Sequence, residues 1–417
     1  MIKFNNNSVT DAAIKNNLMK SAISRTLSVT IGGTSIPAEN IVADSLDLKN
    51  DVLSGNTLKF GGCIPSQLTL RFFNLKHVYS GSLSEATITV SLNVVYLDGG
   101  VEQTLTQQLF TGYVYSVRIL QKRAYSELTA FDEMYRMAQT KCKGAISGIL
   151  AYSPSTISTL YLFLRKVLEF YDGIYNTSLE AQFIDRGGGF QYELMPLLQI
   201  GLSKTLFDKH APDDLTILDL LKAHSELNAR FAYMGADGTL QFAILYSASG
   251  NTVSKKGVDE AIQYHQSATC EDFNSAQVQY LSFSYDGDQT LNYGVTNNKR
   301  LWYISDNIIT KCIPSQTVVN YLVTNFWQNG TQKNYIFYDR SQYKPFKLTT
   351  FGEFWLELGD RVTANLPTYN AQSGQYENTA IDSFILSREI KGISNLKVSL
   401  SAEGSEYLSK EEVTATT

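Results

Sequence analysis

Hydrophobic and polar residues alternate along several short stretches in the first part of the chain. The alternating stretches are residues 27–31, 68–73, 88–94 and 109–117. A period of two places every second side chain on one face of a β-strand. Gly-Gly and Asp-Gly-Gly steps follow two of the stretches and are typical of hairpin turns. The pattern predicts a β-barrel or β-sandwich here, after a short helix over residues 8–24.

A helical spacing of three and four residues follows. It predicts helices over residues 128–138, 154–173, 213–227 and 314–327. Asp213 and Asp214 stand at the start of the third helix, where a carboxylate can accept backbone N–H groups. Strand patterns return at residues 231–245, 278–285 and 334–400. The order is β-rich, then mixed, then β-rich, which predicts a β-rich α+β fold.

This order divides the chain into five predicted segments. They are a first β-barrel domain with the N-terminal helix (1–140), a mixed α/β domain (141–250), connecting strands and loops that either link the domains or belong to the second barrel (251–300), a second β-barrel domain with a helix (301–404), and a polar tail (405–417). No internal repeat accompanies the division.

The composition limits what such a chain can do. Hydrophobic residues make up 43% and charged residues 18%, below the roughly 25% charged residues of an average domain. The chain can therefore bury a large core. A net charge of −5 argues against duplex DNA binding, which depends on Lys and Arg. No apolar run approaches the roughly 20 residues of a membrane span, and no apolar segment typical of a secretory signal follows the N-terminus.

The sequence contains no catalytic, cofactor or metal motif. The cysteines are Cys63, Cys142, Cys270 and Cys312, and the histidines are His77, His210, His224 and His265. Neither set has the spacing of metal ligands, and the cysteines are predicted to be reduced thiols. His224 lies on an apolar helix face and is predicted to be a packed or interface residue. Residues 187–189 are glycines without the Lys of a phosphate loop. Residues 286–288 predict a hairpin turn, because further calcium ligands are missing. No catalytic residue, no cofactor-binding residue and no metal ligand is therefore predicted.

Two chemical alternatives stay open. A cell-wall hydrolase would need a pair of carboxylates, and the candidates in the mixed middle are Asp185, Glu193, Asp213 and Asp214. Nothing in the sequence aligns them as a pair. An adhesin would use exposed aromatic side chains, and the candidates are Tyr113, Tyr115 and residues 351–355. Core and interface packing is the favoured explanation of these aromatic residues in a chain with 25 tyrosines.

Four segments carry a resemblance when they are taken together in order. They are Leu58-Lys59-Phe60-Gly61-Gly62-Cys63 within residues 51–74; Phe110-Thr111-Gly112-Tyr113-Val114 followed by residues 128–134; residues 214–221 running through Phe231-Ala232-Tyr233 to Asp237-Gly238-Thr239-Leu240; and residues 343–346 followed by residues 357–362 and Ile390-Lys391-Gly392. This chain resembles the baseplate or tail-tip hub proteins of phages and prophages of Gram-positive bacteria over residues 20–405.

The resemblance implies a structural function. A hub of this family is a homotrimer with two tube-like β-barrel domains in each chain, and its pseudo-sixfold ring adapts the sixfold tail tube to a threefold spike or fibre. DNA or the tape-measure protein passes through the ring. The implied partners are a distal tail or tail tube protein on one side and a spike, fibre or tape-measure protein on the other, with DNA only in passage and no stable membrane association.

The implied location is the tail tip or baseplate of a virion that assembles in the cytoplasm of the bacterial host. Many relatives of this family continue into peptidase, lysozyme or fibre domains. This chain ends soon after Gly404, so a C-terminal lysin extension is not expected and the chain is predicted not to be an enzyme.

Overall fold

The computed structural model describes most of the chain. The described residues are 18, 22–53, 61–120, 125–152, 159–182, 184–185, 201–227, 230–243, 268–270, 280–294, 301–304, 307–322, 346–370 and 372–402. Most of the predicted N-terminal helix, the glycines at 187–189, Glu193, His265 and the polar tail lie outside these residues. Residues 22–24 begin a strand, so the predicted helix does not extend to residue 24.

Strands make up most of the regular structure. The first ten in the described residues are β1 (Ala22–Ile31), β2 (Thr34–Ile36), β3 (Ile41–Asp51), β4 (Gln67–Phe73), β5 (Thr87–Asp98), β6 (Val101–Leu120), β7 (Tyr125–Phe131), β8 (Ile184–Asp185), β9 (Phe231–Met234) and β10 (Leu240–Ala243). They are followed by β11 (Ala268–Cys270), β12 (Tyr280–Tyr285), β13 (Gln289–Gly294), β14 (Leu301–Ile304), β15 (Phe346–Phe351), β16 (Arg361–Asn370), β17 (Gln375–Phe384), β18 (Ser387–Lys391) and β19 (Lys397–Ser401).

Helices are concentrated in the middle of the chain. They are α1 (Leu75–Val78), α2 (Glu133–Gln139), α3 (Lys143–Tyr152), α4 (Leu160–Tyr175), α5 (Leu179–Gln182), α6 (Lys204–His210), α7 (Ile217–Leu227), α8 (Ile308–Lys311) and α9 (Gln316–Leu322), with one 3-10 turn at Ala38–Asn40. Helix α7 is the central helix of this group, because it contacts α2, α4, α8 and β9. No helix in the described residues is both long and apolar enough to cross a membrane.

Eleven strands form one antiparallel sheet. Their order is β11-β15-β19-β18-β3-β4-β7-β6-β5-β1-β2. Strand β3 pairs with β4 through Leu48 and Leu68, and with β18 through Leu48 and Ile390. Strands from both β-rich regions therefore belong to a single sheet that is joined at β3. The α+β fold class is confirmed.

The expected barrels differ from this arrangement. Within the described residues, the outermost strands β2 and β11 each pair with one neighbour, and no hydrogen-bonded pair closes the sheet. The reason lies in β3, which offers one edge to an N-terminal strand and the other edge to a C-terminal strand. Neither β-rich region forms a closed barrel of its own there. The five-segment division of the chain stays a prediction.

The predicted alternation explains the two faces of the large sheet. Its inner face carries apolar side chains that are at most 4% exposed in β1 and β5; they are Leu27, Val29, Ile31, Ile88, Val90, Leu92 and Val94. The opposite face, called the outer face below, carries the polar residues between them. Each Å² of apolar surface buried on the inner face contributes about 25 cal/mol of transfer free energy, and this burial stabilises the sheet in this register.

Three smaller sheets complete the described structure. Strand β10 pairs with β9 as a hairpin and with β8 in parallel, β12 pairs with β13 and β14, and β16 pairs with β17. Asp286 and Gly287 have positive φ values of 42° and 78° between β12 and β13. Both central positions of a type I′ turn need positive φ, so the predicted hairpin turn at 286–288 is confirmed.

The helix predicted over 128–138 begins later than expected. Residues 128–131 belong to β7, because Leu128 and Ala130 pair with both β4 and β6. Asp132 then ends the strand and accepts the N–H of Met134 at 3.0 Å as the cap of α2. Burial of apolar side chains on the inner face outweighs the helical spacing of the same residues.

The cap predicted for α7 is also different. Asp213 is exposed and Asp214 lies in the same turn, whereas Thr216 and Asp219 cap the helix reciprocally. The Thr216 N–H donates to Asp219 Oδ2 at 3.1 Å and the Asp219 N–H donates to Thr216 Oγ1 at 3.2 Å. This is the Thr-x-x-Asp form of a capping box, and it places the start of α7 at Ile217.

Candidate functional site

The first feature is a junction where parts of the four family-like segments meet. Gly61 donates its N–H to the carbonyl of Arg230 at 2.7 Å, and Ala232 donates to the carbonyl of Gly62 at 3.0 Å. A Cβ added at Gly62 would lie 1.6 Å from the carbonyl oxygen of Val52. Only glycine permits this approach, so residues 61 and 62 are held between Val52, which follows β3, and the start of β9.

The second and fourth segments join the same region. Thr111 Oγ1 donates to the carbonyl of Ala236 at 3.0 Å, and a Cβ at Gly238 would lie 3.3 Å from the Thr111 methyl group. A Cβ at Gly359 would lie 2.6 Å from the Cβ of Ala243. Motif glycines therefore occupy points of close approach between segments that are far apart in the sequence.

A buried arginine beside this junction connects the C-terminal strand β18 to the N-terminal strand β3. Arg388 is 6% exposed and lies on the inner face of β18. Its Nε and Nη2 atoms donate to Asn50 Oδ1 at 3.1 and 2.8 Å, and its Nη1 donates to the Leu356 carbonyl at 2.6 Å. Since buried charge needs such partners, these bonds specify how β18 pairs with β3.

The second feature is an uncharged part of the outer face on β1, β5 and β6. Cross-strand pairing and burial place there Ser24, Thr26, Ser28, Thr30, Thr89, Ser91, Asn93, Val95, Thr104 and Thr106. We call this set the neutral half. Its side chains hydrogen-bond to one another: Thr106 Oγ1 donates to Asn93 Oδ1 and Asn93 Nδ2 donates to Ser28 Oγ, both at 2.7 Å.

The third feature is a charged part of the same face on β3, β4, β7, β18 and the end of β6. We call it the charged half, and its members are Asp47, Lys49, Arg71, Arg118, Glu127, Glu389 and Lys391. Glu127 binds Arg71 at 2.8 Å and Arg118 at 2.6 Å. Lys391 lies 2.8 Å from Glu389. Burial raises the pKa of Glu127, but the hydrogen bonds from the two arginines outweigh it and lower the pKa overall.

A covered strip separates the two halves. Arg136 of α2 lies over the ring of Tyr113, with its guanidinium carbon 3.2 Å from the ring centroid. Arg136 also lies 3.7 Å from Glu133, which is 7% exposed and accepts the Tyr171 hydroxyl at 2.5 Å. Burial and the Glu133 carboxylate raise the pKa of Tyr171. Arg136 and Glu133 are the charged groups of this strip, and each is the ion-pair partner of the other, as buried charges require.

Asp132 is a buried carboxyl at the edge of this strip. It is 2% exposed and accepts the N–H groups of Ser66 at 2.8 Å and Met134 at 3.0 Å. Burial raises its pKa to about 7, although those hydrogen bonds favour the ionised form. The backbone bonds give Asp132 a capping function at the start of α2.

The carboxylates considered for a hydrolase do not come together in the described residues. Asp213 is on the surface and binds Lys143 Nζ at 2.7 Å, a hydrogen bond that lowers its pKa. Asp214 lies in the same exposed turn, the backbone of Asp185 belongs to β8, and Glu193 lies outside the described part of the chain. Nothing in the described geometry pairs two of them across a cleft.

The predicted histidines and cysteines are placed as follows. His224 belongs to α7 and its side chain is buried, with its ring 6.0 Å from the ring of Phe242. Burial lowers the pKa of His224 to about 3. Cys63, Cys142 and Cys312 are buried free thiols. Burial raises the pKa of Cys63 to about 11 and those of Cys142 and Cys312 to about 12. Within the described residues, no group of three His, Cys, Asp or Glu side chains could hold a metal ion.

Among the aromatic candidates with described side chains, Phe354 and Trp355 are buried, whereas Tyr115 is 36% exposed. Phe354 and Trp355 are 2% and 3% exposed. Tyr113 lies beneath Arg136, and Tyr115 packs edge-on against Phe131 at 5.4 Å. Sequence reasoning did not single out the neutral half. The alternating Ser, Thr and Asn residues of β5 were its visible signal, but the adjacency of β1, β5 and β6 was not visible.

Comparisons with known proteins give structural similarity only. No family model matches the chain, and no curated protein matches it. The structure is similar to a tail protein from Neisseria meningitidis MC58, at 12% identity, a TM-score of 0.49 and coverage of 91% of this chain and 96% of that chain. It is also similar to a 43 kDa tail protein from prophage MuSo2 of Shewanella oneidensis, at 10% identity, a TM-score of 0.44 and coverage of 90% and 96%.

A chain of the Francisella PdpA–VgrG complex is similar as well. The identity is 8% and the TM-score is 0.42, and the match covers 96% of this chain and 62% of that chain.

Proposed function

We propose that this chain is a structural hub of a phage tail or a phage-derived tail particle. The observation that supports it most is the junction. Among the segments that resemble tail-hub proteins in sequence order, the first contacts the third through Gly62 and Ala232, and the second contacts the third through Thr111 and Gly238. Gly359 of the fourth segment closely approaches Ala243, which follows the third segment. A chance set of weak motifs has no reason to meet in one place with its glycines at the contact points.

In this proposal three chains form a ring that adapts a sixfold tail tube to a threefold spike or fibre. Each chain contributes two tube-like regions from its large sheet. A ring of this kind uses heterologous contacts, in which each chain offers two different patches. The partners are a distal tail or tail tube protein above and a spike, fibre or tape-measure protein below.

We assign the neutral half to the wall of the central channel. Binding of DNA depends on Lys and Arg that neutralise phosphates, and the neutral half has neither. Hydroxyl and amide groups stay hydrated without holding a passing polyanion. An uncharged wall also avoids repulsion between three copies of the same surface around one axis.

The remaining parts of the proposal concern location and chemistry. The chain would be a virion component at the tail tip or baseplate, assembled in the bacterial cytoplasm, with DNA only in passage and no stable membrane association. It would act by assembly geometry and not as an enzyme. The association with Gram-positive hosts stays a prediction.

The mass and shape of the purified full chain test the ring. Light scattering should give the mass of three 46.5 kDa chains, and negative-stain microscopy should show a ring with a central opening. The same measurements would be repeated after co-expression with the tail tube protein of the same phage. A compact monomer under both conditions would overturn the hub proposal.

A labelling experiment tests the position of the neutral half. Thr106→Cys would be labelled with maleimide gold, and Lys391→Cys in the charged half is the matched control. Both positions are exposed. We expect gold inside the ring for Thr106→Cys and outside it for Lys391→Cys. Gold from Thr106→Cys on the outer rim would exclude the neutral half from the channel wall.

A further inference from the structure

Strand β6 has an open hydrogen-bonding edge near its C-terminal end. Residues 101–113 of β6 pair with β5. Val114 makes the last bonds on that side, since it accepts the N–H of Glu85 at 3.1 Å and donates to the Ala86 carbonyl at 2.9 Å. Glu85 has a positive φ of 56°, so the chain before it leaves the line of β5. Beyond Val114, β6 is paired only with β7 within the described residues.

The backbone groups of two residues face this open edge. Asp132, directly after β7, donates its N–H toward β4 at 3.2 Å, so the odd-numbered residues of β7 direct their backbone groups to β6. Glu127 and its partner Arg118 therefore direct these groups to each other. Val117 and Ile119, on either side of Arg118, direct theirs to the open edge, where the described part of the chain offers them no backbone partner.

The side chains along the open edge differ between the two faces of the sheet. Val117 and Ile119 pair with Leu128 and Ser126 on the side of the inner face. Val117 is half-buried and Ile119 is 44% exposed. Arg118 lies between them on the outer face, where its side chain is 70% exposed. A strand added here would match the edge with an apolar, an acidic and a second apolar residue in succession.

The charge at this edge favours an acidic partner over a second copy of the chain. Arg118 Nη2 binds Glu127 Oε1 at 2.6 Å, and Arg71 Nε binds the other carboxylate oxygen at 2.8 Å. Two guanidinium groups therefore share one carboxylate. Two copies of this edge side by side would bring like charges together, whereas a carboxylate on an incoming strand would compensate the excess positive charge.

We propose that the open edge of β6 binds an extended acidic segment of a partner protein by strand addition. The backbone groups of Val117 and Ile119 supply the hydrogen bonds, apolar side chains of the segment cover these two residues, and a carboxylate of the segment binds Arg118. This inference goes beyond the hub proposal and does not depend on a ring, because one chain presents the whole edge.

Disulfide trapping in the full chain tests the strand addition. Ser116 is exposed and would form a non-hydrogen-bonded pair with the added strand, at a Cα separation of about 4.5 Å that allows a disulfide. Ser116→Cys would be equilibrated in a glutathione buffer with the capped peptide Thr-Val-Glu-Val-Cys, and mass spectrometry would measure the mixed disulfide. Lys391→Cys is the matched control, because β18 is already paired on both sides.

Changes in the peptide separate the charge from the backbone bonds. On Ser116→Cys we expect the glutamate peptide to form about fivefold more mixed disulfide than a lysine peptide. N-methylation of the second valine, whose N–H faces Val117, should reduce the yield about fivefold. N-methylation of the glutamate, whose N–H points away from β6, should have little effect. The wild-type chain gives the background from its own cysteines.

Changes at Arg118 test its function as the anchor. In the Ser116→Cys background, Arg118→Gln should abolish the preference for the glutamate peptide, whereas Arg118→Lys should keep most of it. Thermal unfolding of each variant checks that the fold is retained.

Three outcomes would overturn the inference. Equal yields at Ser116→Cys and Lys391→Cys would mean that Arg118 only protects the edge from aggregation. A yield that is insensitive to N-methylation would exclude strand addition. Disulfide-linked dimers of Ser116→Cys that form in preference to the peptide adduct would make a second copy the occupant. None of these results bears on the hub proposal, which the mass and shape of the particle test separately.

Discussion

The neutral half and the charged half are two parts of one sheet face, yet they are held together differently. Below both, the inner face carries the same kind of buried aliphatic side chain. On the outer face, the side chains of the neutral half form hydrogen bonds between hydroxyl and amide groups, such as Asn93 to Ser28 at 2.7 Å. The charged half uses ion pairs, such as Glu127 to Arg118 at 2.6 Å. The inner face is the same kind of apolar core throughout, whereas the two parts of the outer face differ in how their side chains interact.

The difference has a measurable consequence. Ion pairs between exposed side chains weaken as salt screens them, over a Debye length of about 10 Å at 0.1 M. Hydrogen bonds between uncharged side chains do not. The two halves should therefore respond differently to salt and pH, and the following changes test that distinction in order of expected effect.

The largest effect is expected at the strip that keeps the two halves apart. Arg136→Ala removes the cation between the Tyr113 ring and Glu133 and leaves a buried carboxylate without its cation. We expect a loss of about 3 kcal/mol in the free energy of unfolding, measured by urea denaturation. Arg136→Lys keeps the charge and should lose less. Equal losses for the two variants would show that packing, and not charge, matters here.

The next test would turn the neutral half into a charged surface. The triple variant Ser28→Lys, Ser91→Lys and Thr106→Lys should bind duplex DNA, with about three phosphate contacts and a roughly 40-fold loss of affinity between 50 and 200 mM salt. Fluorescence anisotropy of a labelled duplex measures this. The matched triple glutamine variant should bind no better than the wild type. If the wild type already binds with the same salt dependence, the neutral half is not what prevents binding.

A smaller effect is expected in the charged half. Glu127→Gln leaves Arg71 and Arg118 without their shared carboxylate, and we expect a loss of about 1 kcal/mol at pH 7, because both arginines are exposed and screened. The lowered pKa of Glu127 means that its stabilisation is complete above the unfolded value of about 4.3. It is lost as pH falls through the lower folded value.

Measurements of unfolding from pH 7 to pH 3 check this sign. The stability difference between the wild type and Glu127→Gln should shrink on acidification, and it should also shrink at high salt. A difference that grows as pH falls would contradict the lowered pKa.

The smallest effect is expected in the neutral half. Asn93→Ala removes the two cross-strand bonds to Ser28 and Thr106, at a cost of about 0.5–1 kcal/mol. Chemical denaturation at low and high salt measures it, and the loss should be the same at both. Ser91→Ala is the matched control on the same strand and should cost less. Loss at low salt only would mean that the two halves are not distinct in their interactions.

The strands and their faces could be predicted from local alternation, because a period of two needs no knowledge of partners. The pattern at 88–94 corresponds to β5, and the helical spacing at 213–227 corresponds to α7. Residues 128–131 could not be predicted in this way. Leu128 and Ala130 fit a helix face, but both neighbouring strands were needed to show that they belong to β7.

The candidate site depended even more on the fold. The glycines at 238 and 359 were visible in the sequence, but their close contacts with Thr111 and Ala243 join parts of the chain that are far apart in the sequence. Asp213 is a residue whose position in the sequence suggested the wrong function. It suits a helix cap by its position, yet Lys143 binds it and Thr216 caps the helix instead.

Residue types and their local spacing were enough to indicate which residues alternate, which side chains are neutral and which are charged, and where the turns lie. These properties are local, since they depend on residue type and on a spacing of two or three to four. The pairing of β3 with β18, and the way in which β1, β5 and β6 combine their polar residues into one uncharged surface, became visible in the three-dimensional fold. Pairing between distant strands depends on burial across the whole core, which local spacing does not encode.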